Sequence, residues 1–143
     1  MEIHSVPAQH FAARGPFDRN RTHWCGWVIR SGSRTIYFAG DTGYCPGFRE
    51  IGERFGGIDL SLIPIGAYRP RWLMQSMHVD PFEAVKIHQD VRSQLSVACH
   101  WGTFHLTDEP LTEPPSLLQN ALSEQNLSSK NFKVLSPGET LMV

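Results

Sequence analysis

Cysteine is scarce in this chain of 143 residues, and its three cysteines are far apart in sequence. They are Cys25, Cys45 and Cys99, an odd number with no Cys-x-x-Cys pair among them. A disulfide framework needs paired cysteines, and a zinc ribbon needs closely spaced ones. The sequence therefore predicts neither, and we expect reduced thiols in a cytoplasmic protein.

Long apolar runs and an excess of one charge are also missing. No stretch approaches the ~20 apolar residues of a membrane-spanning helix, and the N-terminus lacks the basic segment of a signal peptide. Thirteen Lys and Arg oppose 14 Asp and Glu, for a formal net charge of -1. A nucleic-acid-binding module, which needs a basic surface, has little support. The length predicts one domain over residues 1–143.

The apolar pattern alternates between strands and helices, which indicates the α/β class. We predict strands at about 2–6, 24–29, 34–39, 58–65 and 95–99, and short ones near 132–135 and 140–143. Helices are predicted over 46–55 and 81–91 and around 117–122, with 66–78 and 101–115 irregular. Asp80 is expected to cap the second helix, with Pro81 in its first turn. His88 shares an apolar face of that helix and is predicted to pack.

The most informative segment places a carboxylate directly after an apolar strand. Asp41 stands in Gly40-Asp41-Thr42-Gly43, immediately after Phe38-Ala39, on backbone that allows close approach of a ligand. His10 and His100 also follow apolar runs. Imidazole and carboxylate bind divalent metals, so the three side chains are candidate metal ligands. Each could instead be an ordinary loop residue, and Asp41 could form an Asx-turn.

Two further segments could act on a substrate. His78 lies just before a predicted helix N-terminus, which suits a group that orients substrate or transfers a proton, or a histidine hydrogen-bonded to backbone. Tyr68, Arg69 and Arg71 fall in one predicted loop. Because guanidinium groups bind phosphate and carboxylate, we predict that this loop receives an anionic part of the substrate. The alternative is a surface loop with solvated arginines.

Six short strings occur in one order along the chain. They are Pro7–His10, Phe38–Tyr44, Pro64–Tyr68, Pro70–Trp72, His78–Pro81 and His100–Phe104. Together they resemble the metallo-β-lactamase superfamily, and within it the N-acyl-phosphatidylethanolamine-hydrolysing phospholipase D group and its bacterial relatives. The resemblance covers nearly the whole chain.

The resemblance implies an αββα sandwich that binds two metals, usually zinc, and hydrolyses a lipid or small-molecule phosphodiester through a metal-bound hydroxide. Carried over by motif, His10 would bind the first metal, Asp41 would bridge the two, and His100 would bind the second. His78 would position or protonate the reacting group. Zinc is expected, with iron or manganese as alternatives.

The family's His-x-His-x-Asp-His string, which supplies further ligands, is absent from this sequence. We therefore expect the C-terminal half of such a sandwich, an α/β fold with a mixed sheet and helices on one face. A half-sandwich exposes an apolar sheet face, so a homodimer or pairing with a separate N-terminal half is expected. The alternative to a metal-dependent hydrolase is an inactive half-domain that folds by self-association.

Overall fold

The computed structural model describes residues 1–142, which fold into one sheet with helices packed on one face. In chain order the elements are β1 (Glu2–Pro7), β2 (Cys25–Ser31), β3 (Arg34–Phe38), α1 (Gly47–Phe55), β4 (Ile58–Pro64), α2 (Arg71–Met74), α3 (Pro81–Asp90), β5 (Ser93–Cys99), α4 (Glu113–Glu124) and β6 (Phe132–Lys133). The three cysteines are free thiols, as expected. No helix within residues 1–142 is long and apolar enough to cross a membrane.

The sheet is mixed, and its strands follow one another in the order of the sequence. β1, β2 and β3 pair antiparallel, whereas β3, β4, β5 and β6 run parallel. Since β1 runs in the same direction as β3, the carboxyl ends of β1, β3, β4 and β5 meet at one edge of the sheet. This topology confirms the predicted α/β class and brings three predicted site segments to that edge.

Local sequence signals explain where the helices begin and end. Asp80 caps α3 as predicted: its carboxylate accepts the N–H of Glu83 at 2.9 Å, and the Glu83 side chain accepts the N–H of Asp80 in return. This reciprocal pair satisfies two N–H groups that the first helical turn leaves free. α1 ends at Gly56, whose φ of 72° is the left-handed conformation that glycine adopts at little cost.

Three predictions of secondary structure are wrong in detail. The segment 66–78 contains the short helix α2, and α4 begins at Glu113, inside the predicted loop. Residues 140–142 form no strand, and Val143 of that predicted strand lies outside the described residues. Prolines at 114 and 115 fit the first turn of a helix, where no N–H partner is needed, and they indicate the true start of α4.

The two faces of the sheet differ in what covers them. On one face, inward side chains such as Val28, Tyr37 and Ile63 are buried in a core shared with α1, α3 and α4. The other face carries apolar side chains in two rows across the strands, and we call it the open face. Its members are Ile3, Ile29, Ile36, Leu60 and Leu95 in one row and Trp27, Phe38, Leu62 and Val97 in the other.

The open face is partly accessible to water. Ile3 is 56% exposed, Trp27 41% and Phe38 42%, and the other members are half-buried. Helices therefore cover one face only, as expected for half of a sandwich.

Candidate metal centre

The candidate ligands lie at the carboxyl edge of the sheet, where strand ends meet. His10 follows β1, Asp41 follows β3 and His100 follows β5. Thr42, which follows β3, is hydrogen-bonded to the segment that follows β1. Its hydroxyl accepts the N–H of Gln9 at 2.8 Å, and its carbonyl accepts the N–H of Val79 at 2.8 Å. Thr42 therefore connects the strand exits of His10 and Asp41 to each other and to the segment after His78.

His78 reaches the same edge from the chain that follows α2. Its N–H donates to the carbonyl of Met74 at 2.7 Å, which continues the turn beyond the helix. Gly43 allows this segment to approach, because a Cβ there would lie 2.7 Å from the carbonyl oxygen of Gln75. A side chain at position 43 would therefore displace the loop that presents His78. We call His10, Asp41, His78 and His100 the rim.

The four rim side chains form a chain of neighbours. Nε2 of His100 lies 3.5 Å from Oδ1 of Asp41. The rings of His78 and His100 stack with centroids 5.2 Å apart, and the rings of His78 and His10 meet edge to face at 5.1 Å. The structure thus brings all the predicted ligands together with His78, which lies between His10 and His100.

Two aromatic residues and a backbone carbonyl hold His10. Its ring stacks on Phe11 at 4.5 Å and lies 4.7 Å from the ring of Trp24. Nδ1 of His10 is 2.7 Å from the carbonyl oxygen of Phe11, which can only accept, so Nδ1 carries the proton. Nε2 is left with the lone pair that a metal requires. Trp24 also donates from Nε1 to the carbonyl of Asp41 at 2.8 Å.

His78 is a buried histidine with an unused ring nitrogen. Nδ1 has no hydrogen-bond partner among the described residues. Burial, followed by the nearby His100 and His10, lowers the pKa of His78 to about 4. The ring is therefore neutral at pH 7, and its Nδ1 is a buried polar atom without a partner among the described residues.

The rim fits a divalent metal by donor type and supplies only part of a ligand set. Imidazole nitrogens and a carboxylate are typical zinc ligands, and iron and manganese also accept them. Within residues 1–142, however, no three His, Cys, Asp or Glu side chains are arranged as a ready-made metal site. Asp41 and His100 form the tightest pair, and His10 joins them through His78.

The predicted substrate residues Tyr68 and Arg69 both engage an acidic partner within the chain. The buried Tyr68 donates its hydroxyl to Glu113 at 2.6 Å, and burial followed by this hydrogen bond raises the pKa of Tyr68. Nη2 of Arg69 lies 2.9 Å from the same carboxylate. Their contact with substrate stays a prediction, because Glu113 already occupies both polar groups.

Arg71 contacts the segment that carries His78. Its guanidinium donates to the carbonyl of His78 at 2.9 Å and to Glu83 at 2.8 Å. These bonds connect the start of α2 to the start of α3. Arg71 therefore positions His78, and its predicted contact with substrate is likewise untested.

Sequence reasoning missed Glu109, which organises the loop after β4. Glu109 is 6% exposed, and its carboxylate accepts the N–H groups of Ala67 at 2.6 Å and Arg69 at 3.0 Å and the hydroxyl of Thr107 at 2.8 Å. Burial tends to raise the pKa of Glu109, but these hydrogen bonds outweigh it and hold the pKa below its ordinary value. No local pattern could reveal this role, because the backbone partners are about 40 residues away in sequence.

This chain is similar in sequence to proteins of a known family. The β-lactamase superfamily domain matches residues 1–101. N-acyl-phosphatidylethanolamine-hydrolyzing phospholipase D 1 of Caenorhabditis elegans is 43% identical over 142 residues, which are 97% of this chain and 40% of the relative. The mitochondrial N-acyl-phosphatidylethanolamine-hydrolyzing phospholipase D of Saccharomyces cerevisiae is 38% identical over 82% of this chain and 26% of its own length.

A solved structure gives the class of fold. Igni18, a metallo hydrolase from Ignicoccus hospitalis, superposes with a TM-score of 0.71 at 23% identity, over 97% of this chain and 51% of that one. The sheet and its helices thus have the fold of about half of that solved chain. The chain belongs to the β-lactamase superfamily. It spans about 40% of the nematode relative, as expected for the C-terminal half.

Proposed function

We propose that this chain provides one half of a divalent-metal centre that hydrolyses phosphodiesters. The rim carries the proposal, because three imidazoles and a carboxylate, the donor types of a divalent-metal site, gather at one edge of the sheet. Two relatives bear the name of a phospholipase D, an enzyme of phosphodiester chemistry.

Each rim residue has a defined task in this proposal. His10 would hold a first metal through Nε2, His100 would hold a second, and Asp41 would be a ligand of both; the metals would be zinc, or alternatively iron or manganese. When bound, the metal supplies Lewis-acid activation of water and neutralises charge that develops on the phosphate. The neutral His78 lies between His10 and His100, where it positions or protonates the reacting group. In this proposal Tyr68, Arg69 and Arg71 receive the anionic part of the substrate, which requires their polar groups to exchange the present bonds to Glu113, Glu83 and the His78 carbonyl.

The open face indicates how the half-sandwich is completed. Nine apolar side chains in two rows form a surface that favours burial against a second layer. The solved metallo hydrolase is about twice as long as the matched region. We propose that either a second copy of this chain or a separate N-terminal half covers the open face and adds ligands to the rim. Sedimentation as a monomer, with no binding of a hydrophobic dye, would contradict this.

The metal content of the purified chain distinguishes a metal-dependent hydrolase from an inactive half-domain. The chain is purified without chelator or metal-binding tag, and transition metals are measured by elemental mass spectrometry. One or two ions per chain, lost in His10→Ala and retained in the exposed control His105→Ala, support the metal centre. The loaded protein should then hydrolyse bis(p-nitrophenyl) phosphate.

The alternative is a half-domain that folds by self-association and has no activity. The incomplete ligand set within residues 1–142 favours it. Absence of metal in the purified chain, and in the chain incubated with zinc, would refute a hydrolase formed by this chain alone or by two copies of it. Self-association of that metal-free chain in sedimentation would then establish the inactive half-domain.

A further inference from the structure

We infer that Trp24 is a positioning residue of the rim, and that its indole holds His10 and the backbone of Asp41 in place relative to each other before any metal binds. The consequence for metal affinity rests on the proposed metal centre, whereas the placement of the two residues does not. His10 and Asp41 follow different strands, so their spacing depends on contacts between the strand exits.

The sheet places Trp24 between the two strand exits that carry these candidate ligands. Trp24 directly precedes β2, which runs antiparallel to β1 on one side and to β3 on the other. Cys25, the first residue of β2, is paired with Pro7, the last residue of β1. The start of β2 therefore lies at the edge where β1 leads to His10 and β3 leads to Asp41.

The indole of Trp24 contacts both candidate ligand segments at once. Its ring centroid lies 4.7 Å from that of His10, with the planes 36° apart, and its Nε1 donates to the carbonyl of Asp41 at 2.8 Å. Tryptophan combines the two contacts because its ring is flat and apolar while its single polar atom is a donor. Phenylalanine at this position would keep a ring and lose the hydrogen bond.

Gly40 forms the turn at which the Asp41 carbonyl meets the indole. Its φ of 69° is a left-handed conformation that glycine adopts at little cost. A Cβ at Gly40 would lie 3.8 Å from Nε1 of Trp24, so the indole packs directly against this turn. Because β3 ends at Phe38, the hydrogen bond from Trp24 restrains Asp41 beyond the regular part of the strand.

The other aromatic contact of His10 is local. The ring of Phe11 stacks on His10 at 4.5 Å, and the guanidinium of Arg19 lies 4.6 Å from the centroid of Phe11. Phe11 is the next residue in the chain and moves together with His10. Trp24 is therefore the aromatic residue that connects His10 to the start of β2.

The first experiment examines His10 without metal. Ring nitrogen signals of the histidines are recorded by NMR at pH 8 with EDTA, and His10→Ala identifies the two signals of His10. Since Nδ1 of His10 donates to a carbonyl, the unsubstituted chain should show one protonated and one unprotonated nitrogen with well-separated signals. In Trp24→Ala the separation should shrink, because the released ring exchanges between its two tautomers. An unchanged separation would overturn the inference.

Two further variants separate positioning from a general loss of packing. Trp24→Phe keeps a ring for folding and should shift the carbonyl carbon signal of Asp41, which loses its indole donor. Trp72→Phe is the matched control, because it makes the same replacement at a residue that is 84% exposed on α2. The control should leave the signals of His10 and Asp41 unchanged. Equal changes in Trp24→Phe and Trp72→Phe would contradict a specific role of Trp24.

The second experiment measures zinc affinity by competition with a chromophoric chelator. Trp24→Ala should weaken zinc binding by about 10- to 100-fold, the loss typical when a residue that orients a metal ligand is removed. Trp24→Phe should cause a smaller loss, and Trp72→Phe none. Zinc binding that is equally tight in Trp24→Ala would leave the proposed function intact and overturn the inference. If the unsubstituted chain binds no zinc but its His10 signals respond to Trp24→Ala as expected, the placement by Trp24 is supported and a metal centre formed by this chain is refuted.

Discussion

The helix-covered core and the rim both contain buried polar groups, but the two regions differ in whether those groups have hydrogen-bond partners. In the core, Nδ1 of His88 lies 2.8 Å from the hydroxyl of Ser96, so both groups find a partner within the chain. At the rim, Nδ1 of His78 has no partner among the described residues. A buried polar group without a partner costs free energy, and the chain accepts that cost where a ligand could supply the partner. The hydroxyl of Tyr37 is a core exception.

The backbone shows the same contrast. Three residues near the carboxyl edge have positive φ angles, Gly40 at 69°, Ala67 at 65° and His100 at 55°. A non-glycine residue in this region costs about 1–3 kcal/mol, and such residues concentrate at functional sites. The helix-covered parts of β3, β4 and β5 have none. The rim therefore contains one residue at positive φ, His100, and one buried nitrogen without a partner, on His78, whereas the helix-covered strands contain no positive φ and one such atom, the hydroxyl of Tyr37.

The largest expected effect is loss of metal from the rim in Asp41→Asn. The substitution removes the charge with little change in volume, so metal content should fall from one or two ions per chain to none. The free energy of unfolding of the metal-free chain should change by only about 0.5 kcal/mol. Elemental mass spectrometry and urea denaturation with EDTA measure the two quantities. A chain that contained no metal beforehand and unfolds on this substitution would show that Asp41 only forms a turn.

The opposite pattern is expected for a core substitution. Phe48 is fully buried on α1 beneath the sheet. Phe48→Ala should lower the free energy of unfolding by about 3–5 kcal/mol, because it removes a ring and leaves a cavity. The metal content of the fraction that remains folded should match the unsubstituted chain. Loss of metal from a folded Phe48→Ala chain would show that core and rim are not separate.

The core was largely predictable from the sequence, for a physical reason. Strand and helix positions follow from local periodicity and from end signals such as Gly56 and Asp80, which act on neighbours in sequence. The packing of His88 followed from its helical face. α2 was missed because its four residues are too short to show a period.

The rim was predictable only in part. Parallel strand exits explain why His10, Asp41 and His100 meet, since topology follows from the alternation of strands and helices. The contacts of Thr42, Trp24 and Glu109 connect residues 17 to 42 positions apart. No local pattern encodes such pairs, so the sequence did not reveal them.

A smaller effect is expected at the border between the two regions. Glu109→Gln keeps the shape of the side chain but replaces an anion that accepts two strong backbone hydrogen bonds. The free energy of unfolding should fall by about 1–3 kcal/mol at pH 7. The exposed Glu124→Gln is the matched control and should change it by less than about 0.5 kcal/mol. Equal effects of the two substitutions would show that Glu109 does not fix the loop after β4.

The smallest expected effect is the pH dependence that His88 gives to the core. Burial lowers the pKa of His88 below its ordinary value, so the folded chain prefers the neutral ring. As the pH falls below the ordinary histidine pKa of about 6.5, the unfolded chain binds a proton that the folded chain resists, and stability decreases. Above that pH the contribution is fully present.

His88→Gln separates this contribution from that of His78, which remains in both chains. The free energy of unfolding of each chain is measured by urea denaturation between pH 8 and pH 5, with EDTA present. His88→Gln is expected to lose less stability over this interval than the unsubstituted chain, because one buried histidine no longer has to stay neutral. If the free energies of unfolding of the two chains change in parallel with pH, the hydrogen bond between His88 and Ser96 tolerates a charged ring. The hydrogen-bonded His88 of the core would then differ less from the unpartnered His78 of the rim than their surroundings indicate.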